Sequence, residues 1–384
     1  MSVLPEPDAV AATQSQHLFH SIIQSIDVAG GKISFAEFMQ HVLYTPTLGY
    51  YSSPLRKFGS DGDFVTAPEI SPLFSQCLAR QCQQVLAHLE QGIILEFGAG
   101  SGVMAAELLK ELQQLDSLPH AYWIVELSAD LQQQQYETLQ SRVPELLNKI
   151  KWLDKLPSRP CQGIILANEV LDAMPVERFQ VTAGEIQQYY VNDAHEQLIL
   201  QLSASTPALS NAVRALHVDF ADGYESEINL AVSPWVATLA AMLDTGLILL
   251  IDYGFPQHEY YHPQRNQGTL MCHYRHHAHV DPLILLGLQD ITAHVDFTAV
   301  AQAAVAANLE VAGYTTQANF LLATGLLEKL SSCSPEAVQF FHLSQQAKLL
   351  TLPSEMGELF KVMALTKNLD IPLLGFMRDA RGRL

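Results

Sequence analysis

Ile93-Ile94-Leu95-Glu96-Phe97-Gly98-Ala99-Gly100-Ser101-Gly102 is the stretch on which the reading of this chain turns. A short apolar run leads to a glutamate, and glycine then takes every second position. Val103 to Leu115, rich in good helix formers, follows at once. The pattern predicts strand, tight turn and helix. Glycine suits the turn because it accepts positive φ and has no Cβ to hold a ligand off the backbone. The helix N-terminus behind it offers unpaired N–H groups and partial positive charge.

Spacing narrows the ligand. A dinucleotide fingerprint needs a third glycine where this chain has Val103. A Walker loop needs Gly-Lys-Ser/Thr, and the first lysine after the turn is Lys110. What remains is Glu-x-Gly-x-Gly-x-Gly, with an acid before the turn rather than a base. An acid there repels phosphate and suits a cationic ligand that bears hydroxyls. S-adenosylmethionine, with its sulfonium, ammonium and two ribose hydroxyls, is such a ligand. The plainer reading is a turn that only packs a helix on a sheet, and the flanking acid counts against it.

The chain has 384 residues, 48% of them apolar, enough for one large domain or two modest ones. Net charge is −19 with only 21 Lys and Arg, so no nucleic-acid partner is expected, because phosphate neutralisation needs clustered cations. A basic protein or a cationic small molecule fits better. Cys77, Cys82, Cys161, Cys272 and Cys333 form no CxxC pair and read as reduced thiols of a cytoplasmic protein. Met1 to Val10 holds two acids, two prolines and no base, which reads as neither a secretory signal nor an Arg-rich transit peptide. No apolar run approaches bilayer-spanning length, so no membrane insertion is expected.

In chain order, residues 1–16 read as frayed and His17 to Ser25 as a helix. Gly30-Gly31 breaks the chain, and Ser34 with Glu37 forms a capping box for a helix from Phe35 to Leu43. Leu48 to Phe74 is dense in aromatics and turn residues, too apolar for disorder and too broken for regular structure. A helix from Ser75 to Leu89 follows. Strands then alternate with helices, the mark of a parallel sheet. The strands are 93–97, His120 to Glu126, Ile150 to Leu153, Gly163 to Ala167 and Gly246 to Ile251. Between the last two, residues 176–232 read as an inserted β-meander with helices from Leu209 and Val232. Phe255 to Pro282 reads as irregular. A helix from Thr298, a strand from Leu309, helices at 317–331 and 335–350, and a strand from Phe360 complete the chain. The glutamine run Gln132–Gln135 is read as helix and nothing more.

Ligands of an open parallel sheet bind beyond the carboxyl ends of its strands. Those ends carry Glu96, Glu126, Asn168-Glu169 and Asp252. A carboxylate at Glu126 can accept both ribose hydroxyls, and Asp154 after the third strand is a candidate near the adenine. Asn168-Glu169-x-x-Asp172 resembles the fourth-strand motif of methyltransferases. Its paired carboxylates match a planar, bidentate guanidinium; alternatively Glu169 caps a helix and Asp172 is a surface acid. Methyl transfer needs alignment, dryness and a group to take the proton. Glu169, Glu69 and Asp172 are the candidates for that role, and all three stay open. His273, His276, His277, His279, His294 and Asp296 lack a fixed zinc spacing, so no metal is expected. His294-x-Asp296 reads equally as a cap for the helix at Thr298.

Phe35-Ala36-Glu37-Phe38-Met39, Leu48-Gly49-Tyr50-Tyr51, Gly62 to Glu69, Glu96 to Gly102, Ala167 to Pro175, Asp252-Tyr253-Gly254 and Asp290 to Phe297 together resemble the MidA family of class I S-adenosylmethionine-dependent methyltransferases. The resemblance runs from about residue 33 to Val362. It implies an α/β fold: a Rossmann-like class I methyltransferase sheet with an N-terminal helical cover, an inserted β-rich lobe and C-terminal additions. The division implied is 1–90 for the cover and its substrate and cofactor loop, and 91–384 for the core. Cofactor roles carry over onto Glu96, Gly98, Gly100, Gly102, Glu126 and Asn168. Ala99, Leu127, Asp154, Thr66 and Pro68 join them as candidate contacts, and the Gly62–Glu69 loop is expected to close over cofactor and substrate. Ser101 stands where many relatives have arginine. Mitochondrial members are linked to respiratory complex I assembly and to protein arginine methylation, so the resemblance implies a protein substrate, with a respiratory-complex subunit as a candidate. A non-catalytic assembly factor and a small-molecule methyltransferase are the rival readings; a nicotinamide dehydrogenase is disfavoured by Val103.

Overall fold

The computed structural model describes residues 4–53, 65–195, 197–332 and 338–384. Gly62 to Phe64 of the expected closing loop, Cys333 and the start of the helix expected at 335 lie outside them. The chain forms two compact units. One comprises Val65–Leu171, Ser233–Pro256 and Val295–Leu384; the other comprises the described part of 1–64 with Asp172–Val232 and Gln257–His294. The units part after residue 64 rather than at 90, and the inserted lobe clusters with the N-terminal helices.

Among the described residues the first of these units holds an eight-stranded sheet, with Val295–Asp296 paired to Gly254 and Phe255 at its margin and seven strands in one path: β1 (Ile93–Phe97), β2 (Tyr122–Val125), β3 (Ile150–Trp152), β4 (Cys161–Asn168), β5 (Leu243–Phe255), β6 (Glu310–Thr316) and β7 (Phe360–Lys367). Their spatial order is β3-β2-β1-β4-β5-β7-β6. β3, β2, β1, β4 and β5 pair in parallel. β7 runs antiparallel between β5 and β6. The order reverses between β1 and β4, so the crevice of this sheet opens beyond Phe97 and Asn168. Helices α1 (Pro72–Leu86), α2 (Val103–Gln114) and α3 (Ala129–Arg142) belong to this unit. Leu78 and Cys82 of α1, Leu108 and Leu112 of α2 and Leu139 of α3 join Ile94, Tyr122, Ile164 and Leu249 of the sheet in one buried cluster.

In the other unit an antiparallel sheet is formed by Glu177–Thr182, Glu185–Asp193, Leu198–Ala204 and Glu225–Ile228, with Ile33 and Ser34 paired to Val191 and Tyr190. Its core joins Leu18, Ile22, Phe35 and Phe38 to Val191, Cys272 and Ile291. The capping box is present: Ser34 Oγ accepts from Glu37 N, and Glu37 Oε2 accepts from Ser34 N.

Three expectations are corrected. Residues 9–16 are helical, because Asp8 caps Ala9–Val28 by accepting from Val10 and Ala11 N. Phe255 to Pro282 is not wholly irregular: Met271–Tyr274 pairs antiparallel with His277–His279 on one side and Asp290–Thr292 on the other, in a three-stranded sheet. The helix read at 317–331 is two, Gln317–Ala323 and Leu326–Ser331, parted at Gly325 with φ +99°.

Candidate active site

Gly98, Gly100 and Gly102 have φ of +63°, +53° and +83°, so the turn after β1 is left-handed at every second residue. At Gly102 space also decides. A Cβ there would meet Gln135 Cα at 3.1 Å and its carbonyl oxygen at 3.3 Å. Ala99 is buried between these glycines. Ser101 Oγ donates to Glu69 Oε1 and accepts from Val103 N at 3.4 Å. Glu69 stands on a short helix, Ala67–Ile70, entered from Thr66 with Pro68 buried in its first turn. One of its carboxylate oxygens is therefore tied to the glycine turn.

Glu96 is not presented at the rim of the sheet. It is 1% exposed, and Tyr122 Oη donates to its Oε2 at 2.6 Å. Burial pushes the Glu96 carboxyl up to about 7; the Tyr122 hydrogen bond opposes the shift and the charge of Glu126 adds to it. An acid held protonated by the fold binds more protons folded than unfolded across that window, so stability falls as pH rises from about 4.5 to 7. Glu96→Gln should therefore flatten the pH dependence of urea stability between those values. It should also stabilise the apo protein at pH 8 by about 3 kcal/mol. An unchanged pH profile would show that the buried carboxyl does not titrate there.

Glu126 follows β2 and is half-buried. Its Oε1 accepts from Ser128 N at 2.9 Å and its Oε2 from Gln135 Nε2 at 3.0 Å. Ser128 caps α3 through Leu131 N. Leu127, beside the acid, is 83% exposed. Gln135 is fully buried, donates from Nε2 to Gly100 O at 3.0 Å, and accepts from Trp152 Nε1 at 2.8 Å. The chain reading missed this residue. The available signal was a glutamine between Leu131 and Leu139 on the buried stripe of α3, where an apolar residue is the rule. Asp154, just past β3, is exposed.

At the end of β4, Asn168 Nδ2 donates to Glu169 Oε1 at 3.1 Å. Asn168 Oδ1 is buried with no hydrogen-bond partner among the described residues, an acceptor awaiting a donor. Glu169 is left-handed, φ +53°, a strained choice for a residue with a long side chain. Its N–H donates to Ile251 O at 2.9 Å. Asp252, 1% exposed, holds the next two residues: its Oδ2 accepts from Val170 N at 3.2 Å and Leu171 N at 2.9 Å. Asp252 is thus a brace for the turn. Asp172 falls in the other unit and is buried rather than a surface acid. There Tyr51 Oη donates to Asp290 Oδ1 at 2.9 Å. Burial, with the charges of Asp290 and Asp172, drives the Tyr51 hydroxyl pKa well up.

Among the described residues no group of three or more His, Cys, Asp or Glu could hold a metal ion. Asp296 instead caps Phe297–Ala306, accepting from Thr298 and Ala299 N.

A parallel sheet with one antiparallel strand between its last two members, a left-handed glycine turn after β1, an acid after β2 and Asn-Glu after β4 define a class I methyltransferase. An orphan acceptor at Asn168 and an oriented carboxylate at Glu126 fit an ammonium and ribose hydroxyls. Residues 77–315 match the family described as "Putative S-adenosyl-L-methionine-dependent methyltransferase". The chain belongs to this family, the MidA family, and its cofactor is S-adenosylmethionine. It is 30% identical to the mitochondrial protein arginine methyltransferase NDUFAF7 of Mus musculus over 91% of this chain and 83% of that protein. The Homo sapiens protein of that name is 27% identical over 95% and 86%. A crystal structure from Burkholderia thailandensis, bound to S-adenosyl-homocysteine, is 43% identical, covers 100% of both chains and superposes with a TM-score of 0.96.

Proposed function

We propose that this methyltransferase acts on arginine side chains of a protein partner. The observation that carries the reading is Glu169, a carboxylate held in a left-handed backbone at the end of β4 and oriented by Asn168. A carboxylate is the natural mate of a guanidinium, which it meets through two parallel hydrogen bonds. The arginine methyltransferase names of the relatives support the choice.

Bound S-adenosylmethionine supplies an electrophilic methyl on a sulfonium. The protein's part is placement and proton handling. Glu126 would accept the ribose hydroxyls, Asn168 Oδ1 would accept from the ammonium, and the glycine turn lets backbone approach. Glu169 would localise the guanidinium charge away from the attacking nitrogen. Transfer of the methyl to that nitrogen leaves the S–C electron pair with the departing thioether, and Glu169 would take the proton that the nitrogen gives up. Glu69 and Asp172 remain the alternative acceptors of that proton.

Glu169→Gln is expected to lower methyl transfer at least about a hundredfold while leaving S-adenosyl-homocysteine affinity unchanged. The check is transfer of labelled methyl to lysate proteins, with methylarginine read after acid hydrolysis. Label confined to small molecules would favour the small-molecule reading. Cofactor binding with no label anywhere would favour the non-catalytic assembly factor. A respiratory-complex subunit is the first acceptor to try, on the family resemblance. A cytoplasmic location is part of this proposal, supported by the free cysteines Cys77, Cys82, Cys161 and Cys272, which fit a reducing compartment; fractionation tests it. Among the described residues no helix is long and apolar enough to cross a membrane.

A further inference from the structure

Gln135 uses its whole amide. Both Nε2 protons are donated, one to Gly100 O and one to Glu126 Oε2, each at 3.0 Å, and Oε1 accepts from Trp152 Nε1 at 2.8 Å. Its side chain is fully buried, so water does not compete for these partners. The orientation of the amide is forced. An indole N–H can only donate, so Trp152 faces the amide oxygen, and the NH₂ must face the carbonyl and the carboxylate. One side chain on α3 therefore ties the glycine turn after β1 to the acid after β2, and Trp152 of β3 sets its polarity.

The consequence falls on Glu126. A carboxylate on a loop rotates about its last torsion unless something holds it. Here Ser128 N holds Oε1 and Gln135 Nε2 holds Oε2, so each oxygen has a fixed donor and the plane of the carboxylate is set. The same amide holds Gly100 O, so the carboxylate and the glycine turn are fixed relative to each other. The backbone contact sharpens this: a Cβ on Gly102 would crowd Gln135 Cα at 3.1 Å.

We infer that Gln135 is a positioning residue that orients Glu126 for the two ribose hydroxyls, with Trp152 selecting its amide orientation. This role rests on the reading of Glu126 as the ribose acceptor, and the test separates the two. S-adenosyl-homocysteine and its 2′-deoxy analogue are titrated calorimetrically into the wild type, Gln135→Leu and Trp152→Phe. The wild type should favour the ribose form. Gln135→Leu should shrink that preference about tenfold, the weight of one hydrogen bond to a charged group. Trp152→Phe retains Gln135 and its donors but frees the amide to turn over, and should give a smaller loss of preference. It also carries the test alone should Gln135→Leu fail to fold. Damage that is merely structural weakens both ligands alike and leaves their ratio at the wild-type value; that outcome in a folded variant overturns the role of Gln135. A wild type that does not distinguish the two ligands overturns the reading of Glu126 itself.

Discussion

Glu126→Ala should leave a folded protein that no longer binds S-adenosylmethionine at concentrations saturating the wild type. Two ribose hydroxyls donating to one carboxylate are charge-assisted hydrogen bonds, worth about 1.5–3 kcal/mol each. Losing both weakens binding by roughly 3–6 kcal/mol, a hundredfold or more. The fold should survive the change at a cost of about 1–3 kcal/mol, because Glu126 is half-buried while the buried Gln135 amide loses one acceptor and keeps Gly100 O and Trp152. Calorimetric titration alongside a thermal melt decides it. A folded variant that binds within a few-fold of the wild type would remove Glu126 from the cofactor site. The ligand would then have to be held by the glycine turn and Asn168 alone.

The second large effect is expected at a residue that acts through the backbone it holds. Asp252 accepts from Val170 and Leu171 N with one oxygen and from Tyr253 N with the other, at 1% exposure. Asp252→Ala leaves the buried Leu171 N–H and the part-buried Val170 and Tyr253 N–H groups without this acceptor, so a loss of about 2–3 kcal/mol in urea unfolding is expected. Activity should fall further than stability. The braced turn is the one that carries Glu169, and an ångström of drift there is enough to cost about a hundredfold in turnover. Asp252→Asn keeps one acceptor oxygen and should recover part of both losses. Full stability with full turnover in Asp252→Ala would show that the left-handed Glu169 is held by its own neighbours.

Sheet, turn and strand-end acids were legible in the chain because each rests on a local rule. Alternation of strand and helix, glycine where φ is positive, and a polar residue where a strand ends all speak within a few residues. What stayed hidden depends on partners far apart in sequence. Gln135 meets Gly100 across 35 positions; its place between Leu131 and Leu139 marks it as buried, but nothing local names its partners. Asp252 was visible as one more strand-end acid, yet its use as a brace depends on Val170 and Leu171, 82 and 81 positions away. Glu96 was read as facing a cation; its burial depends on Tyr122 from the neighbouring strand. The early start of the first helix was missed because its cap, Asp8, stands in a polar stretch that read as frayed.

The unit that contains the N-terminal helices takes its chain from three separated stretches. On the ribosome this order matters. Leu18, Ile22, Phe35 and Phe38 emerge early, while Val191, Cys272 and Ile291, which complete their core, are synthesised much later. At ordinary elongation speeds the interval is on the order of ten seconds or more. Through that interval two amphipathic helices have no native surface to cover them. The nascent chain is thus a natural client for chaperones that shield apolar faces, and truncation before residue 291 leaves this core incomplete however well the first helices are formed.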